Sequence, residues 1–272
     1  MKVMKSTPSI DRERLDLLYS LYNHRDFVHP DPLEFLYDFP DLQDREIVAL
    51  IASSLAYGRV AQILKTVSSV LERMGPSPYL FLRNTPLNGI LSSFSDFRHR
   101  FTTGEELSSM LWGARRAIER YGSLHQCFLA GYRDQDETVL PALSTFVRAL
   151  DFKTLGHRRG FMPSPDRGSA CKRLNLFMRW MVRDDEVDPG GWHLVPISKL
   201  VVPLDTHMHR IGLMLNLTGR KQADMRAAME ITVAFRSMAP EDPVRYDFVL
   251  TRFGIRNDLD RATFLKLCDA PR

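Results

Sequence analysis

The chain has 272 residues, of which 44% are hydrophobic and 26% charged, a composition typical of a globular protein with a substantial core. No apolar run approaches the roughly 20 residues that cross a bilayer, and residues 1–6 lack the apolar core of a secretion signal, so we expect a cytoplasmic protein. The three cysteines, Cys127, Cys171 and Cys268, are too few and too widely spaced for a four-thiolate metal site or an iron–sulfur cluster.

The net charge of +4 is unevenly distributed along the chain. Residues 1–152 carry a net charge of −2 and residues 153–272 a net charge of +6. The segment 153–183 alone holds eight Lys and Arg residues, with only Asp166 against them. Such a cluster would attract a polyanion, although a solvated basic surface would have the same composition.

Hydrophobic residues recur at helical spacing along almost the whole chain. Asp31 and Asp41 each precede such a stretch and are favourable N-caps. The predicted helices cover residues 10–23, 33–39, 42–57, 60–74, 79–83, 105–121, 123–132, 138–150, 169–183, 206–217, 221–238, 244–253 and 263–268. Residues 84–104 are expected to be a polar connection, residues 152–169 a loop, and only residues 194–204 hint at extended structure. The pattern predicts an all-α fold.

Lys172 lies in the first turn of the predicted helix 169–183, after a loop rich in Pro and Gly. The positive end of the helix dipole disfavours a cation, and Arg167 and Arg173 add like charge. A lysine in such surroundings is a usable amine nucleophile. A solvent-facing lysine, or one that holds a phosphate, would occupy the same position.

Asp205 directly precedes another predicted helix, where aspartate is a favoured N-cap. A carboxylate oriented by capping can also stabilise positive charge on a sugar ring, or activate a nucleophile. With His207 and His209 it forms Asp-x-His-x-His, which is also compatible with a metal-dependent hydrolase. Side chains two residues apart on a helix diverge, so we expect no metal site and no cofactor.

Two segments resemble motifs of the helix-hairpin-helix DNA glycosylase superfamily, the group around endonuclease III. The segment 168–173, Gly-Ser-Ala-Cys-Lys-Arg, is similar to the hairpin motif G-V-G-x-K-T, and residues 204–210, Leu-Asp-Thr-His-Met-His-Arg, are similar to V-D-T-H-x-x-R. Residues 47–60 resemble an early helix of the same group. The whole chain also resembles an uncharacterised bacterial family, DUF2400, in its K-R-L-N-L-F and P-L-D-T-H runs.

Three features depart from the endonuclease III pattern. Ala170 replaces the second hairpin glycine, so the hairpin is expected to be modified. Asp205 follows Lys172 by 33 residues, a longer spacing that is more similar to the archaeal 8-oxoguanine glycosylase branch. The terminal iron–sulfur cysteines of endonuclease III are absent from the sequence.

The resemblance implies a base-excision repair glycosylase with AP-lyase activity, with oxidised purine as a candidate substrate, in which Lys172 forms a Schiff base at C1′ and Asp205 assists. It implies two helical lobes flanking a cleft: residues 30–200, which carry Lys172, and residues 1–29 plus 201–272, which carry Asp205. The expected partner is damaged double-stranded DNA, bound by a nucleoid-associated monomer. The expected DNA contacts are Arg158, Arg159, Arg167, Gly168, Arg173, His207 and Arg210, and the candidate stacking partners for an extruded base are Tyr57, Trp180 and Trp192.

Two alternatives belong to other classes of protein. A helical protein that binds nucleic acid without catalysis would keep the basic segment but need no reactive lysine. A metal-dependent hydrolase would use Asp205, His207 and His209 as ligands. Borohydride trapping on damaged duplexes separates the first alternative from the enzyme, and metal analysis addresses the second.

Overall fold

The computed structural model of the chain describes residues 10–150, 162–256, 258–259 and 264. Within these residues the chain is mostly helical, and its only sheet is a two-stranded hairpin. The predicted all-α class is therefore confirmed at this level. No helix in the described part is both long enough and apolar enough to cross a membrane.

Twelve α-helices and two short strands lie within the described residues. The helices are α1 Arg12–Tyr22, α2 Leu42–Leu55, α3 Val60–Met74, α4 Pro78–Asn84, α5 Leu87–Ser93, α6 Gly104–Tyr121, α7 Leu124–Leu129, α8 Leu140–Ala149, α9 Lys172–Val182, α10 Thr206–Met214, α11 Met225–Met238 and α12 Asp247–Ile255. The antiparallel strands are β1 (Arg98–His99) and β2 (Thr102–Thr103), which precede α6.

Aspartate side chains cap helices where the sequence predicts them. Asp41 accepts the backbone N–H groups of Gln43 and Asp44 at the start of α2. Asp31 also caps a helix, but the helix is a 3-10 helix, Pro32–Asp38, in place of the expected α-helix. The capping signal therefore locates the beginnings of these elements more reliably than it identifies their type.

Two connections differ from the predicted elements. Residues 84–104 contain α5 and the β1–β2 hairpin, because Phe94 and Phe97 are buried and hold this polar stretch against the core. Residues 194–204 form no strand and instead contain a 3-10 turn, Ile197–Lys199. Two prolines in that segment lack the N–H that a sheet requires.

Helix α2 lies at the centre of the core. Residues 46–55 are all buried, so the helix is covered on every side rather than on the single face that its periodicity predicts. It packs against α9, α3, α4 and α7. Glu46 accepts the indole N–H of Trp192 at 2.8 Å and the backbone N–H groups of Leu124 and His125, and burial raises its pKa to about 7.

A buried ionic network joins α9 to the chain that follows it. Arg179 donates to Asp188 at 3.2 Å and to Asp247 at 2.5 Å, and Arg183 donates to Asp188 at 2.5 Å. Both arginine side chains are 3% exposed. They are therefore neutralised inside the protein, which corrects the expectation that the basic residues of 153–183 act together on a polyanion.

Helix α1 packs beside α12 and against the loop that follows α9. The Tyr246 hydroxyl donates to Asp16 at 2.8 Å, and the Tyr19 hydroxyl donates to Asp185 at 2.8 Å. These bonds connect the first described helix to segments far along the chain. The expected division into two lobes stays a prediction.

Candidate functional site

A cleft of about 1060 Å³ opens where several of these elements meet. Its lining comes from residues 30–32, from the loop 56–59 and the first turn of α3, from His99 and Arg100 in the hairpin, from one face of α9, from residues 203 and 205–207 at the start of α10, and from one face of α12 that includes Asp247, Thr251 and Arg252. Its volume is of the order of the roughly 300–1,000 Å³ that small-ligand sites enclose. The cleft can therefore hold a ligand the size of a nucleoside.

Lys172 and Asp205 face each other in this cleft. The Lys172 Nζ lies 3.3 Å from Asp205 Oδ2 and also donates to the backbone carbonyl of Ala56 at 3.4 Å. The other carboxylate oxygen, Oδ1, accepts the backbone N–H of Met208 at 2.8 Å and so caps α10. The cap fixes the carboxylate, and its second oxygen is left to meet the amine.

Both members of the pair lie at the start of a helix, although α9 begins three residues later than the predicted helix 169–183. Helix α9 begins at Lys172 and helix α10 begins directly after Asp205. The Lys172 side chain is 31% exposed and that of Asp205 is 15% exposed. The amine is thus accessible from the cleft, while the carboxylate is largely enclosed.

The turn that leads into α9 has left-handed backbone at two positions. Gly168 has φ 74° and Cys171 has φ 48°. A non-glycine residue in this region is uncommon, and the surrounding structure must hold it there. Cys171 is buried, its thiol donates to the Pro163 carbonyl at 3.3 Å, and burial raises the pKa of the thiol to about 11. Cys171 therefore positions Lys172 and is not itself a reactive thiol.

One stripe of α9 faces the cleft. Lys172, Leu176 and Arg179 are spaced by four and three residues, which places them on the same side of a helix, and all three line the cleft. Arg179 pairs with Asp247, which also lines it. Burial raises the pKa of the Asp247 carboxyl to about 6, although the nearby Arg179 guanidinium opposes this effect.

A second ion pair lies in the same wall. Arg252 donates to Asp31 at 2.8 Å and to the carbonyl of Val28 at 3.3 Å. The Arg252 side chain is 2% exposed and that of Asp31 is 13% exposed. This pair joins α12 to the segment before the Pro32–Asp38 helix, and so holds two walls of the cleft together.

Tyr57 attaches the hairpin to the end of α2. Its hydroxyl donates to the carbonyl of His99 at 2.8 Å and lies 2.5 Å from the hydroxyl of Thr102. The His99 Nε2 in turn lies 3.0 Å from the Tyr57 carbonyl, and burial lowers the pKa of its imidazole. Of the three aromatic residues predicted to stack on a base, Tyr57 lines the cleft.

Trp180 and Trp192 do not line the cleft. Both are fully buried in the core. Trp192 stacks on His125 with ring centroids 5.0 Å apart, and it meets Phe177 edge to face. The structure therefore places both tryptophans in the scaffold: Trp180 is enclosed in the core, and aromatic side chains already surround the ring of Trp192.

Most of the predicted DNA contacts are at the surface or in the cleft. Arg167, Gly168 and Arg210 are exposed, and His207 lines the cleft beside Gly254. Arg158 and Arg159 lie outside the described residues. The exposed positions flank the turn before α9 and the first turns of α10, where the Lys172–Asp205 pair is located.

Arg173 faces inward rather than towards solvent. Its Nη1 donates to the Ser54 carbonyl at 2.8 Å, and its guanidinium lies 5.1 Å from the centroid of the Tyr57 ring. Burial lowers the pKa of this guanidinium. The side chain therefore anchors α9 to the end of α2, a role different from the phosphate contact that its position in the motif predicts.

The two histidines of the Asp-x-His-x-His segment face different neighbours. His207 lines the cleft, whereas the Nε2 of His209 lies 2.8 Å from the Arg220 carbonyl. Among the described residues, no group of three or more His, Cys, Asp or Glu side chains could hold a metal ion. The divergence of side chains two residues apart explains why these histidines do not meet.

Sequence reasoning missed several charged residues that line the cleft, four of which lie close to the pair or face solvent. Asp247 and Arg179 lie in its wall, while Arg59 and Arg100 line it and are exposed to solvent. The spacing of Arg179 after Lys172 places both on one helix face and is a signal that could have identified it. Asp247 has no comparable signal, because it meets the cleft only through the packing of α12.

The fold and the cleft define a helical protein in which a lysine and an aspartate, each at a helix start, meet in one accessible cavity. The chain belongs to the DUF2400 family, described as proteins of unknown function, whose model matches residues 31–256 and thus includes both members of the pair. Comparison with curated proteins and with solved structures gives no match. These comparisons offer no support for membership of the glycosylase superfamily, which stays a hypothesis.

Proposed function

We propose that this protein is a DNA base-excision repair glycosylase with AP-lyase activity. The observation that carries the proposal is the contact of Lys172 Nζ with Asp205 Oδ2 at 3.3 Å inside a cleft of about 1060 Å³. An amine nucleophile and a fixed carboxylate in a nucleoside-sized cavity are what displacement of a base at a sugar carbon requires. On this proposal the fold is a glycosylase fold in which the turn 168–171 replaces the usual hairpin.

The roles of the two residues follow from their contacts. Asp205 lies within hydrogen-bond distance of the Lys172 amine and can accept its proton before attack. The neutral amine then forms a bond to C1′ as the bond from C1′ to the base breaks. The lysine nitrogen then gives up its proton, and the C1′–O4′ bond of the sugar ring opens with a proton going to O4′. The product is the Schiff base that permits strand cleavage by β-elimination.

The exposed cations around the cleft support a duplex as the partner. Arg59 and Arg100 line the cleft and are exposed, and Arg167 and Arg210 are exposed near the starts of α9 and α10. Contacts of this kind bind phosphates without reading sequence, and they weaken as salt rises. The base reaches the cleft when its nucleotide leaves the stack.

We further propose an oxidised purine, such as 8-oxoguanine, as the base. The size of the cleft suits a purine nucleoside, and the 33-residue spacing of the pair resembles that of the archaeal 8-oxoguanine branch. Tyr57 is the aromatic side chain available for stacking in the cleft. Its hydroxyl is already hydrogen-bonded to the hairpin, so the part of Tyr57 that would contact the base is its ring.

Borohydride trapping tests the proposal. The wild-type protein is incubated with a duplex that carries an abasic site, and reduction should join the two covalently through Lys172. Lys172→Ala should form no adduct, whereas Lys65→Ala, which changes an exposed lysine of α3, should trap as the wild type does. Salt-sensitive binding without trapping by the wild type would favour the non-catalytic nucleic-acid-binding alternative.

A further inference from the structure

The cleft holds a second carboxylate that the Lys172–Asp205 pair does not use. Asp247 is the first residue of α12, and its side chain is 3% exposed. Its Oδ2 accepts from Arg179 at 2.5 Å, but its Oδ1 is buried and has no hydrogen-bond partner among the described residues. An unpartnered buried oxygen is costly, so such an atom in a residue that lines a cleft is available to a ligand.

Charged groups from several elements surround this carboxyl. Arg179 approaches it from α9, Asp205 from the start of α10, and Asp188 from the loop after α9. The Arg252–Asp31 pair and His207 line the same cleft. Burial, with Asp205 and Asp188, raises the pKa of Asp247 to about 6 against the opposing effect of Arg179. Asp247 thus holds a proton at a pH where an ordinary aspartate has none.

We propose that Asp247 is the catalytic acid that protonates the departing base. The inference rests on the proposed glycosylase function and assigns the two carboxylates of the cleft different steps. Asp205 takes the proton of Lys172, and Asp247 gives a proton to the base. The substrate class is a nucleotide whose base leaves more easily when one of its ring nitrogens or carbonyl oxygens is protonated.

The step balances in atoms and charge. The bond from C1′ to the base nitrogen breaks, and its electron pair goes to the base, which takes the proton from Asp247. The neutral amine of Lys172 forms the new bond to C1′ and becomes a secondary ammonium. Asp247 is left as a carboxylate next to Arg179, whose guanidinium stabilises the charge that appears there.

The test compares Asp247→Asn with Asp188→Asn. Asp188 binds the same Arg179 side chain at 3.2 Å but does not line the cleft, so its variant disturbs the ionic network without touching the ligand. Two rates are measured for each full-length protein below its unfolding temperature. One is borohydride trapping on a preformed abasic duplex, and the other is single-turnover base release from duplexes that carry oxidised purines or pyrimidines.

In Asp247→Asn the ratio of the base-release rate to the trapping rate should fall about 100-fold or more, because a general acid usually contributes that much to a rate. In Asp188→Asn the ratio should stay within a few-fold of the wild type, even if the protein is less stable. In the wild type, base release should slow as the pH rises above about 6, and Asp247→Asn should lack this decline.

An unchanged ratio in Asp247→Asn would overturn the inference while leaving the proposed function intact. An equal fall in Asp188→Asn would also overturn it, because the effect would then belong to the ionic network. If the wild-type protein traps the abasic duplex but releases no base from any of the duplexes with oxidised bases, that result would count against Asp247 as a proton donor. A wild-type protein that fails to trap the abasic duplex would contradict the proposed function itself, and the inference would fall with it.

Discussion

The carboxylate of Asp205 serves two partners at once, since Oδ1 caps α10 through Met208 while Oδ2 meets the amine of Lys172. The two contacts come from opposite oxygens of one side chain, so the same bond that begins the helix also orients the group that faces the cleft. A capping residue is thereby also the partner of the candidate nucleophile. The structural and chemical contributions of Asp205 can be separated, because other residues can cap a helix.

Asp205→Asn and Asp205→Ala should differ in stability but not in activity. Asparagine still caps α10, whereas alanine should lower the free energy of unfolding by about 1 kcal/mol. Both variants lack the carboxylate and should lose most base release and trapping. Urea denaturation and borohydride trapping measure the two effects. If Asp205→Asn kept full trapping, the carboxylate would be needed only for the helix.

Arg179→Met should be strongly destabilising. It would leave Asp247 buried without the cation that neutralises it and Asp188 with Arg183 alone, and breaking such a buried pair typically costs about 3–5 kcal/mol. Arg12→Met is the matched control, because Arg12 pairs with Asp16 on the surface with its side chain 64% exposed, where about 0–1 kcal/mol is expected. The unfolding free energies of both variants can be compared in urea, and similar losses would contradict the buried assignment.

Stability should fall as the pH rises from 4.5 to about 7 because of Glu46. Burial raises the pKa of this carboxyl from 4.5 to about 7, so the folded state binds more protons than the unfolded state in that window. At about 1.4 kcal/mol per pKa unit, the loss attributable to Glu46 across the window is about 3 kcal/mol. Asp247, with its pKa raised to about 6, adds a decline in the same direction.

Glu46→Gln isolates this contribution. The variant cannot ionise at this position, so its unfolding free energy should decline less between pH 4.5 and 7 than that of the wild type. Gln can also lose some of the bonds to Trp192, Leu124 and His125, which would lower stability at every pH without changing the slope. A slope equal to that of the wild type would contradict the buried, protonated Glu46.

Gly254→Ala should impair the cleft without unfolding the protein. Gly254 lies in α12, where alanine is favoured over glycine by about 1 kcal/mol, but the added Cβ would stand 2.4 Å from the Nδ1 of His207. The imidazole must rotate out of its place in the cleft. We expect unchanged or raised stability, with weaker DNA binding or slower base release.

The double variant His207→Ala, Gly254→Ala provides the control. With the imidazole removed, the alanine at 254 meets no obstacle, so Gly254→Ala should have no further effect in that background. Non-additivity of this kind is expected for side chains in contact. Additive losses in binding would show that Gly254 acts by some other route than His207.

The parts of the site that depend on local sequence were predictable. The Pro/Gly loop placed the start of α9 within three residues of Lys172, and the capping residue Asp205 placed the start of α10, because both signals act over a few positions. The meeting of the two residues is a consequence of packing and came only from the resemblance. The burial of Arg179 and Arg183 is what the sequence failed most clearly to predict, because a buried cation and a surface cation look the same in a sequence.

The partners of Arg179 and Arg183 explain why the sequence does not reveal that these side chains are buried. Arg179 pairs with Asp247, which lies 68 residues further along the chain, and no local sequence pattern indicates such a pair. The two tryptophans pose the same difficulty, since an aromatic residue suits a ligand cavity and a core equally well. Helix type was also uncertain where the element was short, as in the Pro32–Asp38 segment, because tertiary contacts decide how tightly such a turn winds.

The hydrogen bond from the Tyr246 hydroxyl to Asp16 joins two residues that are 230 positions apart in the chain. On a ribosome, α1 emerges long before α12 exists, so this helix, which carries the apolar side chains Leu15 and Leu18, lacks its neighbour until residues 247–255 have been synthesised. The nascent chain therefore exposes apolar surface on α1 during synthesis, and its folding in the cell depends on when α12 becomes available to cover that surface.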